Sequence, residues 1–136
     1  VPLRERILAL DLGEVRTGVA ISDPGGVIAR PHGIVTRDEL VPRLRELVRR
    51  ERIREIVVGV PRNLRGEAGF QARRTMEVLS ELRGALPGVR FVEWDERFTT
   101  RLAAGSRKRG PVDDVAAAHM LQEYLTLRRG SVGSPR

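Results

Sequence analysis

Residues Ile7–Asp23, ILALDLGEVRTGVAISD, join two short apolar runs through a tight turn and place one aspartate inside the first run. Ile7, Leu8, Ala9, Leu10 and Leu12 predict a strand buried on both faces, with Thr17–Ser22 as its hairpin partner. Gly13 and Gly18 are read as supplying the unusual backbone angles of the reversal. Asp11 is the anomaly. A carboxylate in such a strand is costly unless it meets water, donors or a cation, which places it at the strand's end. Two roles are open to it: accepting turn amides from Leu12 to Arg16, or forming part of a metal or phosphate site.

The chain of 136 residues is long enough for one domain, burying roughly two thirds of its unfolded surface. Residues 1–129 read as that domain and 130–136 as a disordered tail. There is no cysteine, which excludes a disulfide framework, a thiolate zinc site and a thiol nucleophile. No apolar run approaches membrane-spanning length and no signal-peptide pattern opens the chain, so a cytoplasmic protein with no membrane partner is expected. The net charge is +7, nearly all from arginine. That excess favours an anionic partner, nucleic acid first. Many of the arginines, such as Arg45, Arg49 and Arg52, alternate with Glu46, Glu51 and Glu55 and read instead as a solvated helix face.

Outward from the hairpin, Gly33–Thr36 predicts a third strand. Leu40, Leu44, Leu47 and Val48 fall at helical spacing, and Pro42 is tolerable only near a helix start, so a helix runs from about Asp38–Val41 to Arg52. Glu55–Val60, EIVVGV, reads as a fully buried strand. Ala72, Met76, Leu79, Leu82 and Leu86 set the stripe of a second helix that Pro87 and Gly88 stop. Val89–Asp95 makes a fifth strand, a short helical turn covers Thr99–Ala104, and a last helix runs from about Val112 to Arg128 with Ala117, Met120, Leu121, Tyr124 and Leu127 inward. The fold class is therefore α/β: a five-stranded mixed sheet flanked by helices, its first, fourth and fifth strands parallel. The C-terminal ends of those strands form the edge where such sheets bind ligands. Asp11, Arg16, Arg62, Asn63, Arg65, Asp95, Glu96 and Arg97 all belong there.

The acids carry the chemistry. Asp113 lies on the inward stripe of the last helix and doubles as a plausible N-cap, while Asp114 is nearer its flank. Asp95 and Glu96 form either a surface turn or part of the site. Three carboxylates at one edge repel one another unless a dication or a proton intervenes. Oxygen ligands without His or Cys suit Mg²⁺ or Mn²⁺ better than Zn²⁺. With the surrounding arginines, they describe a metal-dependent phosphodiesterase.

These residues resemble the YqgF family, also called RuvX, of the RNase H-like superfamily. The likeness covers nearly the whole chain through DLGEVRTGVAISD (Asp11–Asp23), VVGVPRNLRGEAG (Val57–Gly69), DERFTT (Asp95–Thr100) and VDDVAAAHMLQEYL (Val112–Leu125). The resemblance implies an RNase H-like nuclease that uses Mg²⁺ or Mn²⁺, two ions in all, to process the 5′ end of pre-16S rRNA. RNA, in a pre-ribosomal particle, or branched DNA is the implied partner. By position, the resemblance makes Asp11, Glu96 and Asp113 the catalytic acids, with Asp95 the other candidate ligand of the D-E-R motif. Glu96 is preferred to Asp95 because its longer arm reaches toward the first strand. Asp114 has no counterpart in the family's pattern. Two departures stand out: the segment between Thr100 and Asp113 is about half the usual length, and Arg65 replaces a small or acidic residue before Gly66.

The implied mechanism has Asp11 bridging two metals with Glu96 and Asp113 at their sides, while Arg16, Arg62, Asn63, Arg65 and Arg97 hold nucleic acid. His32 and His119 read as structural or solvated. Three rivals stand against this reading, and size decides against the last of them. A Holliday junction resolvase would need two such sites on one junction, hence a dimer. A nucleic-acid-binding module without activity would use the acids only as caps and turns. A sugar-kinase or actin-type nucleotide binder shares the D-L-G-x-x-x-x-G pattern but needs a second phosphate loop, which 136 residues do not contain.

Overall fold

A computed structural model of the chain describes residues 5–60, 66–95 and 114–132. Its elements are β1 (Ile7–Leu12), β2 (Arg16–Ser22), β3 (Ala29–Thr36), a 3₁₀ turn (Arg37–Glu39), α1 (Leu40–Glu51), β4 (Glu55–Val60), α2 (Gly66–Ala85), β5 (Arg90–Asp95) and α3 (Asp114–Val132). The strands form one sheet in the order β3-β2-β1-β4-β5. β1 is antiparallel to β2 and parallel to β4, which is parallel to β5. This is the mixed sheet that the sequence predicts. The expected helical turn at 99–104 lies outside the described residues.

Period-two alternation sends the side chains of β1 to two different cores. Leu8 and Leu10 join Val19, Ile21, Ile56 and Val58 beneath α1 and α2, which contribute Leu40, Leu44, Leu47, Leu79 and Leu82. Ile7 and Ala9 join Ala20, Val57 and Trp94 beneath α3, which contributes Ala117, Met120, Leu121 and Leu125. We call these the α1/α2 face and the α3 face. The opposed alanines Ala9, Ala20 and Ala117 are fully buried, so α3 lies close to the centre of the sheet.

Several details differ from the sequence reading. β3 starts at Ala29 and not Gly33 because an edge strand tolerates Pro31 and exposed side chains. Its pairing with β2 shifts between Val19 and Ala20: Val19 faces Gly33 and Ala20 faces Pro31, leaving His32 as the extra residue of a bulge. In α2 the inward position expected for Met76 is taken by Thr75, buried, with Met76 partly exposed. In α3 Leu127 is 61% exposed and Leu125 is buried in its place. That helix also runs past Arg128 to Val132, so only 133–136 of the expected tail fall outside it and the described residues. Among the described residues positive φ occurs only at Gly26, Gly33 and Arg52. Gly13 and Gly18 therefore do not serve the hairpin through left-handed angles; the turn closes with Gly13 N–H donating to Arg16 O at 2.9 Å.

The loop from β2 to β3 is organised by Asp23, whose carboxylate accepts the N–H groups of Gly25, Val27 and Ile28 at 3.1, 2.7 and 2.8 Å. The Ile28 amide, followed by those of Val27 and Gly25, holds the Asp23 carboxyl below its ordinary value of 3.8. A depressed folded-state pKa adds stability that is present above pH 3.8 and lost as pH falls through the folded value. Asp23→Asn is thus expected to cost about 1 kcal/mol at neutral pH, measured by urea unfolding. The gap from wild type should close below pH 3.8; a gap independent of pH would contradict the ionic role.

Candidate active site

Asp11 occupies the last but one position of the central strand and is only 6% exposed. Its alternation with Ile7 and Ala9 puts it on the α3 face. Opposite it on β2 is Gly18, and opposite Gly18 on β3 is Ile34. On the other side, the parallel register that pairs Leu10 with Val58 brings Gly59 beside Asp11, and Gly59 pairs with Trp94. One row across the α3 face therefore reads Ile34, Gly18, Asp11, Gly59, Trp94. The carboxylate has a residue without a side chain on each neighbouring strand. Neither glycine has a positive φ. Neither sets a Cβ beside Asp11, and close approach to a backbone is one of the few uses of glycine inside a strand.

The two ends of this row are unlike. Ile34 is 46% exposed, whereas Trp94 is buried and meets Tyr124 edge to face, ring centroids 5.7 Å apart. Arg16 pairs with Thr36 and lies two residues before Gly18, which puts it on the same face in the next row, exposed at the strand's start. Asp11 and Arg16 thus share one face at the same end of the sheet. Asp95 is not on this face. It follows Phe91 and Glu93 in alternation, the first packed under α1 and α2, the second paired to Arg83 of α2 at 3.3 Å. Asp95 is buried and pairs with Val60 on the α1/α2 face.

Glu96, Asp113, Arg62, Asn63, Arg65 and Arg97 lie outside the described residues. Among the described residues no three His, Cys, Asp or Glu side chains are grouped to hold a metal ion. α3 nevertheless begins at the Asp11 end of the sheet: Asp114 accepts the N–H of Gly33 at 2.9 Å, and Gly33 pairs with Val19, next to Gly18.

A second buried carboxylate lies on the α3 face. Glu55, at the opposite end of β4, accepts from Arg90 Nη2 at 3.0 Å and from the Tyr124 hydroxyl. Burial, reinforced by that bond, pushes the Tyr124 hydroxyl up to about 12. Glu55 is a neutralised structural acid tying β4, β5 and α3 together. Sequence reading assigned it to the exposed helix charge pattern and missed this role, as it missed the spatial role of Gly18 and Gly59. A glycine inside the β-branched run EIVVGV was the available signal.

The class follows from the sheet order and the position of its central acid: an RNase H-like fold. The solved structure of T. thermophilus RuvC in complex with Holliday junction substrate superposes with a TM-score of 0.62, covering 93% of this chain and 97% of that one at 17% identity. A likeness at that identity concerns the fold. The family model for RuvX, described as Holliday junction resolvase, matches residues 5–127. A protein of Rubrobacter xylanophilus named "Putative pre-16S rRNA nuclease" is 56% identical over 96% of this chain and 99% of its own length. One of the same name from a Sulfurihydrogenibium species is 40% identical over 88% and 89%. The chain belongs to the RuvX family.

Two variants test this arrangement without reference to activity. Mn²⁺ at a hundred times its dissociation constant should add about 2.7 kcal/mol to the wild type, seen as a rise of several degrees in Tm, and nothing to Asp11→Asn. Gly59→Val, a favourable strand substitution, should keep the far-UV spectrum and lose most of the Mn²⁺ shift. An undiminished shift in Gly59→Val would show that the space beside Asp11 is not used.

Proposed function

We propose that this protein is a divalent-metal-dependent nuclease whose reaction is centred on Asp11, with the 5′ region of 16S rRNA precursor as its substrate. The observation that carries the proposal is the buried Asp11 carboxylate between two glycines at the ligand-binding edge of the sheet. A buried acid flanked by two glycines and offering only oxygen donors fits Mg²⁺ or Mn²⁺. Glu96 and Asp113 would complete the ligand set with Asp11. The placement of Asp95 on the other face of the sheet supports Glu96 as the ligand of the D-E-R motif. When bound, two such ions would activate the attacking water and stabilise the leaving oxygen.

The remaining work falls to the chain's own groups. Arg16, exposed in the row beyond Asp11, would neutralise a backbone phosphate, and Arg62, Asn63, Arg65 and Arg97 would share that role. Phosphate contacts of this kind position a strand without reading its sequence, and they weaken steeply with salt. The buried contact of Ala9, Ala20 and Ala117 lets α3 pack close against the sheet. The names of the curated relatives support RNA as substrate, and the description of the family model supports a four-way DNA junction as the second reading.

A side-by-side assay separates them. With Mn²⁺, wild type should cut a 5′-extended 16S rRNA precursor, and Asp11→Asn should cut at least a hundredfold more slowly. Matched symmetrical nicks in a four-way DNA junction with the RNA left intact would favour the resolvase. Equal cutting by Asp11→Asn, or none by wild type, would overturn the catalytic assignment.

A further inference from the structure

In sequence, Arg45, Arg49 and Arg52 alternate with Glu46, Glu51 and Glu55. In space those acids go to other partners. Glu46 meets Arg50 at 3.7 Å, Glu51 meets Arg6 and Arg50, each at 3.3 Å, and Glu55 is held by Arg90 and Tyr124. Arg45, Arg49 and Arg52 are exposed and make no ion pair with any described residue. Leu40, Leu44 and Leu47 bury the inner side of α1. Arg45 and Arg49 therefore stand on its outer side, about 6 Å from each other along the axis. Arg52, the C-cap residue, follows three positions later and continues the stripe.

Arg52 holds its charge at a cost in backbone strain. It adopts φ 58° and ψ 51°, the left-handed conformation that favours glycine, and among the described residues no other non-glycine has a positive φ. An open groove of about 570 Å³ lies beside it, lined in part by Arg52 with Val48, Ile53, Leu86, Pro87 and Val89. A stripe of guanidinium groups that leads to an apolar groove suits a single nucleic-acid strand. The phosphates follow the charges, and an unstacked base finds an apolar surface.

We propose that Arg45, Arg49 and Arg52 form a second nucleic-acid contact, a phosphate-binding stripe on α1 that holds single-stranded RNA flanking the cleavage point. α1 covers the face of the sheet opposite to that of Asp11. A strand must therefore run on the order of 20 Å, a sheet and one helix layer, to reach both. The stripe tightens the hold on long substrates and leaves the cutting of short ones untouched. The inference rests on the reading of the protein as a nuclease acting on RNA, and binding measured without metal decides it apart from cleavage.

Fluorescence anisotropy of a labelled oligouridylate of about 20 nucleotides is measured in EDTA over a range of salt. Wild type is compared with the α1 variant Arg45→Gln/Arg49→Gln/Arg52→Gly. The control, Arg73→Gln/Arg74→Gln/Arg83→Gln, removes the same charge from exposed positions of α2. The α1 variant should bind roughly tenfold more weakly, and its plot of log affinity against log salt should be shallower by about 2, the loss of three single-strand phosphate contacts. With Mn²⁺, its KM for the rRNA precursor should rise in step while kcat, and kcat/KM on a short oligonucleotide covering only the cleavage point, stay within about twofold of wild type. Arg52→Gly alone should raise Tm by about one degree or more yet weaken binding, which separates the effect from unfolding. Unchanged affinity and salt slope in the α1 variant would overturn the proposal. So would an equal loss in the α2 variant, the effect of net charge alone, or an equal loss of kcat/KM on the short oligonucleotide, which would place the stripe within the site. If Asp11→Asn cuts like wild type the catalytic reading falls, and the metal-free binding loss still decides the stripe.

Discussion

The structure depends on keeping one carboxylate inside a sheet. Asp11 sits in the central strand, nearly inaccessible, where an acid is the least economical residue for stability. The two flanking strands accommodate it by presenting glycines at its height, Gly18 and Gly59, each at some loss of strand propensity. The rest of the α3 face is built to the opposite rule. Ala9, Ala20, Val57, Ala117 and Leu121 form the buried core of that face. Glu55, a second buried acid on this face, is answered by Arg90 and Tyr124.

The helix above the site is held by polar contacts and not by shape alone. A bulge in an edge strand is usually a device that spoils further pairing. Here it also frees the Gly33 amide for Asp114, so the irregularity of β3 and the start of α3 are one structural event. The same strand receives Gln122 at Ala29, and Asp23 folds the loop that leads into it. Three polar side chains thus fix the edge of the sheet on which α3 depends.

Much of this was legible in the sequence. ILALDL and EIVVGV announce buried strands through their lack of alternation, and the antiparallel hairpin followed by two crossovers determines the sheet order. Asp11 stood out because an acid interrupts an apolar run. What escaped reading depended on partners distant in sequence. Pro31 and exposed residues disguised most of β3, since an edge strand carries no clear apolar period. Thr75 and Leu125 were passed over for Met76 and Leu127 because hydropathy alone does not fix the angle of a helix against its neighbour. Gly18 looked like a turn residue and is a clearance residue. Asp114 looked like a bystander because its partner is a backbone amide 81 positions earlier in the chain. The face on which Asp95 lies could have been derived from alternation along β5, given Val92 and Trp94 as core residues of the α3 face.

The central claim is that Asp11 holds a divalent ion on the α3 face, between Gly18 and Gly59. The most direct measurement is an anomalous difference map from crystals grown with Mn²⁺. A peak within coordination distance of an Asp11 oxygen, on the side of the sheet covered by α3, is the predicted result. Mn²⁺ found only at other carboxylates, with Asp11 bonded to protein groups alone, would contradict it.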